Sequence, residues 1–245
     1  MNKPKYTKIV KKSDVVKIFP KDFLPINENE NAIKLYFKAI KVSRNTKTHN
    51  FPKLMRFFSL FQLVNFTLKN KRVFDFVECG CWKGHSTFMI STLIKKRKKN
   101  VKFHIFDSFE GLSKSTKNDK IYHSKNKTEK ERIEKYFKSN ENFVKNKVLG
   151  SFNFTKTYKG WIPERFSEIK NKKFSFIHID VDLYKPTLDC LKFFYPRLVK
   201  GGVIVCDDYN VTGFPGAKVA WDEFFKGKKN QFFFQNPLGG CYLIK

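Results

Sequence analysis

Four apolar segments of this chain each end in an acidic residue and lead into a turn and a helical stretch. They are Val73–Glu78, Val101–Phe106 followed by Asp107, Phe174–Ile179 followed by Asp180, and Val203–Cys206 followed by Asp207-Asp208. Near-continuous apolar strands that alternate with helices predict an α/β fold, a parallel sheet covered by helices on both faces. Ligands of such sheets bind at the C-terminal strand ends. The spacing therefore brings Glu78, Asp107, Asp180 and Asp207 to one edge. Helical periodicity marks Ala32–Val42, Phe51–Lys69, Ser86–Lys98, Leu188–Leu198 (stopped by Gly201-Gly202) and Val219–Phe225. Asp119–Lys147 is polar and helix-prone, and a further short strand is expected within Lys147–Lys159. Phe232–Gln235 and Cys241–Ile244, joined by Asn-Pro-Leu-Gly-Gly, read as a terminal antiparallel hairpin.

Residues 1–50, rich in Lys and Asn with one apolar piece at Val15–Phe19, read as an extension or lid, and 51–245 as the main domain. The formal charge of +28, from 50 basic against 22 acidic residues, invites a nucleic-acid reading. Composition argues otherwise: only seven of the 50 are Arg, and Lys, Asn, Phe and Ile together are the residues of A/T-rich codons. The lysines are spread everywhere and form no basic stripe, so a nucleic-acid partner is not expected. Hydrophobic residues at 41% support a sizeable core and exclude global disorder. No apolar run reaches about 18 residues, so no membrane span is expected. The N-terminus lacks the apolar region of a signal peptide. Five cysteines without a C-x-x-C read as reduced, packed thiols of a cytoplasmic protein.

Three constellations carry chemistry. In Glu78-Cys79-Gly80-Cys81-Trp82-Lys83-Gly84 the glycines permit a tight turn and close approach to a ligand. The pattern lacks the second early glycine of a dinucleotide binder, and an acid at the strand end would repel a pyrophosphate. It suits a cationic, phosphate-free ligand such as S-adenosylmethionine. Asp107, 23 residues past Gly84 and followed by Ser108, has the spacing of an acid that accepts hydrogen bonds from ribose hydroxyls; a turn or cap aspartate is the alternative. The third set is Asp180, Asp182, Asp207 and Asp208. Four carboxylates at two strand ends repel one another unless a cation sits among them, and hard oxygen donors suit Mg²⁺. Helix capping is the alternative for Asp182 and Asp208. Trp161 is positioned to stack on adenine or to pack. His178 reads as a packed strand histidine, and His85 as lining the site or capping a helix. His49, His104 and His123 carry no pattern. The terminal hairpin separates a methyltransferase-type sheet from an ordinary dinucleotide fold.

E-C-G-C-W-K-G-H, D-S-F-E-G-L, K-G-W-I-P, H-I-D-V-D-L-Y-K-P-T and C-D-D-Y with F-P-G-A-K-V-A-W-D-E-F resemble, in order and spacing, the macrocin O-methyltransferase family over about residues 73–245. The resemblance implies a seven-stranded Rossmann-like sheet and an S-adenosylmethionine- and Mg²⁺-dependent enzyme that methylates a sugar hydroxyl. Glu78 and Gly80 then look like the cofactor-turn residues, with Trp82 and Gly84 in the same turn, and Asp107, with Ser108 beside it, is similar to the ribose-binding acid. Asp180, Asp207 and Asp208 match the metal ligands, with Asp180 also bordering the cofactor, and Asp182 matches the general base. Cys81, Lys83 and His85 depart from the usual E-x-G-V-W-R-G-G. A homodimer that exchanges lids is compatible with this reading. Two competing readings stay open: an RNA methyltransferase, and a methyltransferase-like binding module without activity.

Overall fold

The structure is a computed structural model, and it describes residues 26–46, 50–119, 127–228 and 232–245. Residues 1–25 of the expected extension, with the apolar piece at Val15–Phe19, lie outside the described residues, as do His49 and His123. Seven strands form one sheet: β1 Asp75–Cys79, β2 Phe103–Asp107, β3 Thr155–Lys159, β4 Phe174–Ile179, β5 Leu198–Cys206, β6 Phe232–Gln235 and β7 Cys241–Ile244. Their order is β3-β2-β1-β4-β5-β7-β6. The first five are parallel, and β7 runs antiparallel to both β5 and β6. Strand order reverses between β1 and β4, which places the ligand-binding crevice at their C-terminal ends.

The helices are α1 Ile26–Val42, α2 Phe51–Lys69, α3 His85–Arg97, α4 Lys127–Tyr136, α5 Tyr184–Phe194 and α6 Pro215–Phe225. Strand alternation divides the core between two faces. Phe76, Phe103 and Phe176 pack with residues of α1, α2 and α3, while Val77, Ile177 and Ile204 pack with α5 and α6. α1 is part of this core: Tyr36 meets the rings of Phe57 and His85 edge-on, both at 5.0 Å. α2 starts where Asn50 accepts a hydrogen bond from the Lys53 N–H (2.9 Å), and Pro52 suits its first turn. Among the described residues no helix is long and apolar enough to cross a membrane.

Several boundaries differ from the sequence expectation: α1 begins at Ile26 and not at Ala32, β5 at Leu198 and not at Val203, and the bounds of α5 and α6 move as well. α5 begins at Tyr184 and not at Leu188, because Pro186 sits in its first turn, where a missing N–H costs nothing. It ends at Phe194, ahead of Pro196, and a 3₁₀ turn at Tyr195–Arg197 leads into β5. Gly201 and Gly202 therefore stop no helix; they lie inside β5. α6 likewise begins earlier, at Pro215.

Phe176 is fully buried on β4 and stacks on Phe76 with ring centroids 5.2 Å apart. Phe176→Ala should destabilise the fold by about 3–5 kcal/mol, read as a lower urea midpoint at unchanged slope.

Candidate active site

The turn after β1 is shaped by close backbone approach. Asp180 N–H donates to the Cys79 carbonyl (2.8 Å), and Gly80 N–H donates to the Phe106 carbonyl (2.8 Å). Gly80 has φ +84°, and a Cβ there would lie 1.7 Å from the Asp180 carbonyl oxygen, so only glycine fits. Gly84, at φ +82°, caps α3 and packs against Val148. Asp107 clamps the turn. Its Oδ2 accepts from the N–H groups of Cys81 (2.7 Å) and Trp82 (2.8 Å), and its Oδ1 accepts from Phe109 N–H (2.6 Å). These bonds hold Trp82 at φ +47°, a left-handed conformation rare for a large side chain. The Ser108 hydroxyl donates to the Gly111 carbonyl (3.0 Å) and accepts from Glu110 N–H (3.1 Å).

Glu78 does not reach the crevice. Its side chain is fully buried and points to the face covered by α3, where Oε2 accepts from the Thr87 hydroxyl and Oε1 lies 3.0 Å from His178 Nδ1. Glu78 lies at the end of β1 on the same sheet face as His178, beneath that histidine and Thr87, and it lines neither cavity.

Asp180, Asp207 and Asp208 each bring a carboxylate oxygen within 4.8 Å of the others. Asp182 adjoins them: it is buried at φ +59°, and its N–H donates to Asp208 Oδ2 (2.8 Å). Burial, then the Asp207 charge, pushes Asp180 up to about 7. Burial and the neighbouring aspartates push Asp182 and Asp208 well above the carboxylate range. An all-carboxylate oxygen set of this spacing fits a hard divalent cation such as Mg²⁺. α2 supplies counter-charge that the sequence reading did not single out. Arg56 Nη1 lies 3.4 Å from Asp207 Oδ2 and donates to the Asp207 carbonyl (3.3 Å). Lys53, one turn earlier, lines the same space, and burial pulls its ammonium below its ordinary value against the pull of Asp180 and Asp207. Two cations three residues apart in the first two turns of a helix rich in apolar residues were the available signal.

Two cavities meet at this edge. A narrow cleft of about 80 Å³ is lined by Asp107, Ser108, Leu112, Trp161 and Ile162 among others. A chamber of about 310 Å³ is lined by Lys53, Arg56, His85, His178 and the four aspartates. Gly80, Trp82, Phe137, Asp180 and Asp182 line both. Gly84 and Glu78 line neither, and Trp161, 38% exposed, stands at the cleft rim.

This strand order, with a glycine turn after β1 and an acidic edge, is that of the Rossmann-like O-methyltransferases. In solved structures the fold recurs in the O-methyltransferase NovP, at TM-score 0.61 and 21% identity over 76% of this chain and 78% of that one. It recurs in the calicheamicin methyltransferase CalS11, at TM-score 0.61 and 15% identity over 91% of this chain and 95% of that one. An O-methyltransferase from Bacillus cereus in complex with SAH aligns at TM-score 0.52 and 14% identity, over 92% and 94% of the two chains. The chain belongs to the macrocin O-methyltransferase (TylF) family, whose sequence profile matches residues 42–235. A Streptomyces olivaceus relative, 8-demethyl-8-(2,3-dimethoxy-alpha-L-rhamnosyl)-tetracenomycin-C 4'-O-methyltransferase, is 26% identical over 56% of this chain and 53% of its own length. Demethyldecarbamoylnovobiocin O-methyltransferase of Streptomyces niveus is 23% identical over 72% and 67%. The chain thus spans about half the length of the first relative and two thirds of the second.

The raised Asp180 value fixes the sign of a pH effect. Its stabilising contribution is present below the ordinary 3.8 and is lost as pH rises toward about 7. The cation-free protein should lose thermal stability across that window. Mg²⁺ binds only ionised carboxylates, so the rise in Tm on adding it should be larger at about pH 8 than at about pH 5. Thermal scans in EDTA and in MgCl₂ check this, and a Mg²⁺ shift independent of pH contradicts it.

Proposed function

We propose that the protein transfers a methyl group from S-adenosylmethionine to a hydroxyl of a sugar or sugar-bearing acceptor, with Mg²⁺ as cofactor. The observation that carries this reading is that Asp180 and Asp182 line both the narrow cleft and the carboxylate-ringed chamber. A cofactor in the cleft and an acceptor in the chamber would share that boundary. Family membership and the two antibiotic-tailoring relatives support it.

S-adenosylmethionine, when bound, supplies the methyl group, and a divalent cation held by Asp180, Asp207 and Asp208 makes an acceptor hydroxyl more acidic. Asp107 has lone pairs left after its three backbone bonds and, with Ser108, receives the ribose hydroxyls. Trp161 covers the adenine at the cleft rim. Asp182 takes the acceptor's proton; its positive φ and its bond to Asp208 hold it at the boundary of the two cavities. Arg56 keeps Asp207 in place through both its side-chain and main-chain oxygens. Lys53 and Arg56, at the start of α2, form part of the chamber wall on the acceptor side. The five free, buried cysteines accord with a cytoplasmic protein.

Asp182→Asn should lower turnover by about 10²–10⁴ while leaving S-adenosylmethionine affinity unchanged in calorimetry. Turnover within about twofold of wild type removes Asp182 as the base.

A further inference from the structure

The buried pair of Glu78 and His178 has no part in the reading above. The two residues face each other across β1 and β4, with His178 Nδ1 3.0 Å from Glu78 Oε1. Glu78 is fully buried and His178 is 1% exposed. Exchanging such a pair for apolar residues of similar volume is often neutral or stabilising, so packing alone gives no reason for it. Its hydrogen bonds are complete at one end: the other Glu78 oxygen takes the Thr87 hydroxyl. They are incomplete at the opposite end, where His178 Nε2 is buried and makes no hydrogen bond among the described residues. His178 is also a wall residue of the chamber, two positions before Asp180 on the same strand face. The unmet nitrogen belongs to a buried residue of the chamber lining, and an unsatisfied buried polar atom calls for a ligand or a water.

We propose that His178 Nε2 hydrogen-bonds a hydroxyl of the acceptor, and that Glu78 is the positioning residue that fixes its ring. The inference rests on the methyl-transfer reading of the chamber and adds a specificity: the acceptor carries a hydroxyl at the chamber floor as well as the one that is methylated. A hydroxyl both donates and accepts, so it can pair with a bare or a protonated ring nitrogen. A deoxy or ether analogue at that position meets the nitrogen less well or not at all.

Two substitutions separate this role from a structural one. In His178→Asn the amide reaches the position of Nδ1, keeps the Glu78 bond and vacates the chamber side. In His178→Gln it reaches the position of Nε2, keeps the chamber contact and gives up Glu78. Methyl transfer from labelled S-adenosylmethionine to a panel of methyl hexopyranosides, methyl α-L-rhamnopyranoside included, should show the acceptor KM raised about tenfold in His178→Asn and about threefold or less in His178→Gln. Calorimetry should show cofactor affinity unchanged in both. The reverse order, or equal impairment with a lowered Tm, overturns the proposal. A direct readout accompanies it: ¹⁵N NMR of protein labelled at both histidine and tryptophan, loaded with Mg²⁺ and S-adenosylhomocysteine and titrated with the same glycoside. The His178 Nε2 and Trp82 indole resonances should shift together. A shift of Trp82 alone overturns the assignment of His178. A titration across the panel that moves neither resonance counts against a sugar acceptor altogether, and this inference falls with it.

Discussion

Mutual repulsion among Asp180, Asp182, Asp207 and Asp208 is the constraint around which this end of the molecule is built. Burial, and then repulsion from the neighbouring carboxylates, raises the proton affinity of Asp180, Asp182 and Asp208. The fold holds them there by backbone hydrogen bonds that tie each strand end to its neighbour: Asp180 to Cys79, Asp207 to Ile179, and Gly80 to Phe106. These bonds belong to the sheet and fix the main chain of Asp180 and Asp207 side by side. Relief comes from positive charge, supplied by Arg56 and Lys53 on α2 and completed by a divalent cation in the proposed state.

The same stitching accounts for the two cavities. Because β4 approaches β1 so closely at Gly80, the strand ends form a ridge with open space on either side. Asp107 sets one side by gathering three backbone N–H groups into a rigid turn. α1 and α2 set the other by packing on α3 and presenting Lys53 and Arg56 inward. The ridge residues Asp180 and Asp182 belong to both spaces. A transfer reaction needs its two reactants on either side of such a boundary, because holding them in register supplies much of the rate.

Most of this was legible in the chain, for identifiable reasons. β4 at Phe174–Ile179 and the hairpin at Phe232–Gln235 and Cys241–Ile244 matched residue for residue, because apolar runs bounded by acids, Gly and Pro leave little freedom. The acidic edge matched because strand ends fix where Asp180 and Asp207 lie, whatever the helices do. The start of α5 was misjudged because Pro186 reads as a breaker unless its first-turn position is known. For Glu78 the position along the strand is written in the sequence, but its burial beneath His178 and Thr87 depends on side chains 100 and 9 residues away. Lys53 and Arg56 were hidden by the abundance of lysine, which masks the few cations that burial makes significant.

In the proposed reading the strand-end acids and the glycine turn form one cofactor-and-cation site. Isothermal titration of S-adenosylmethionine into EDTA-stripped protein, with and without added Mg²⁺, tests it most directly. Such a site should bind one cofactor per chain saturably, in the micromolar range, when Mg²⁺ is present. Absence of binding in both conditions would contradict it, since the crowded carboxylates would then serve some other ligand.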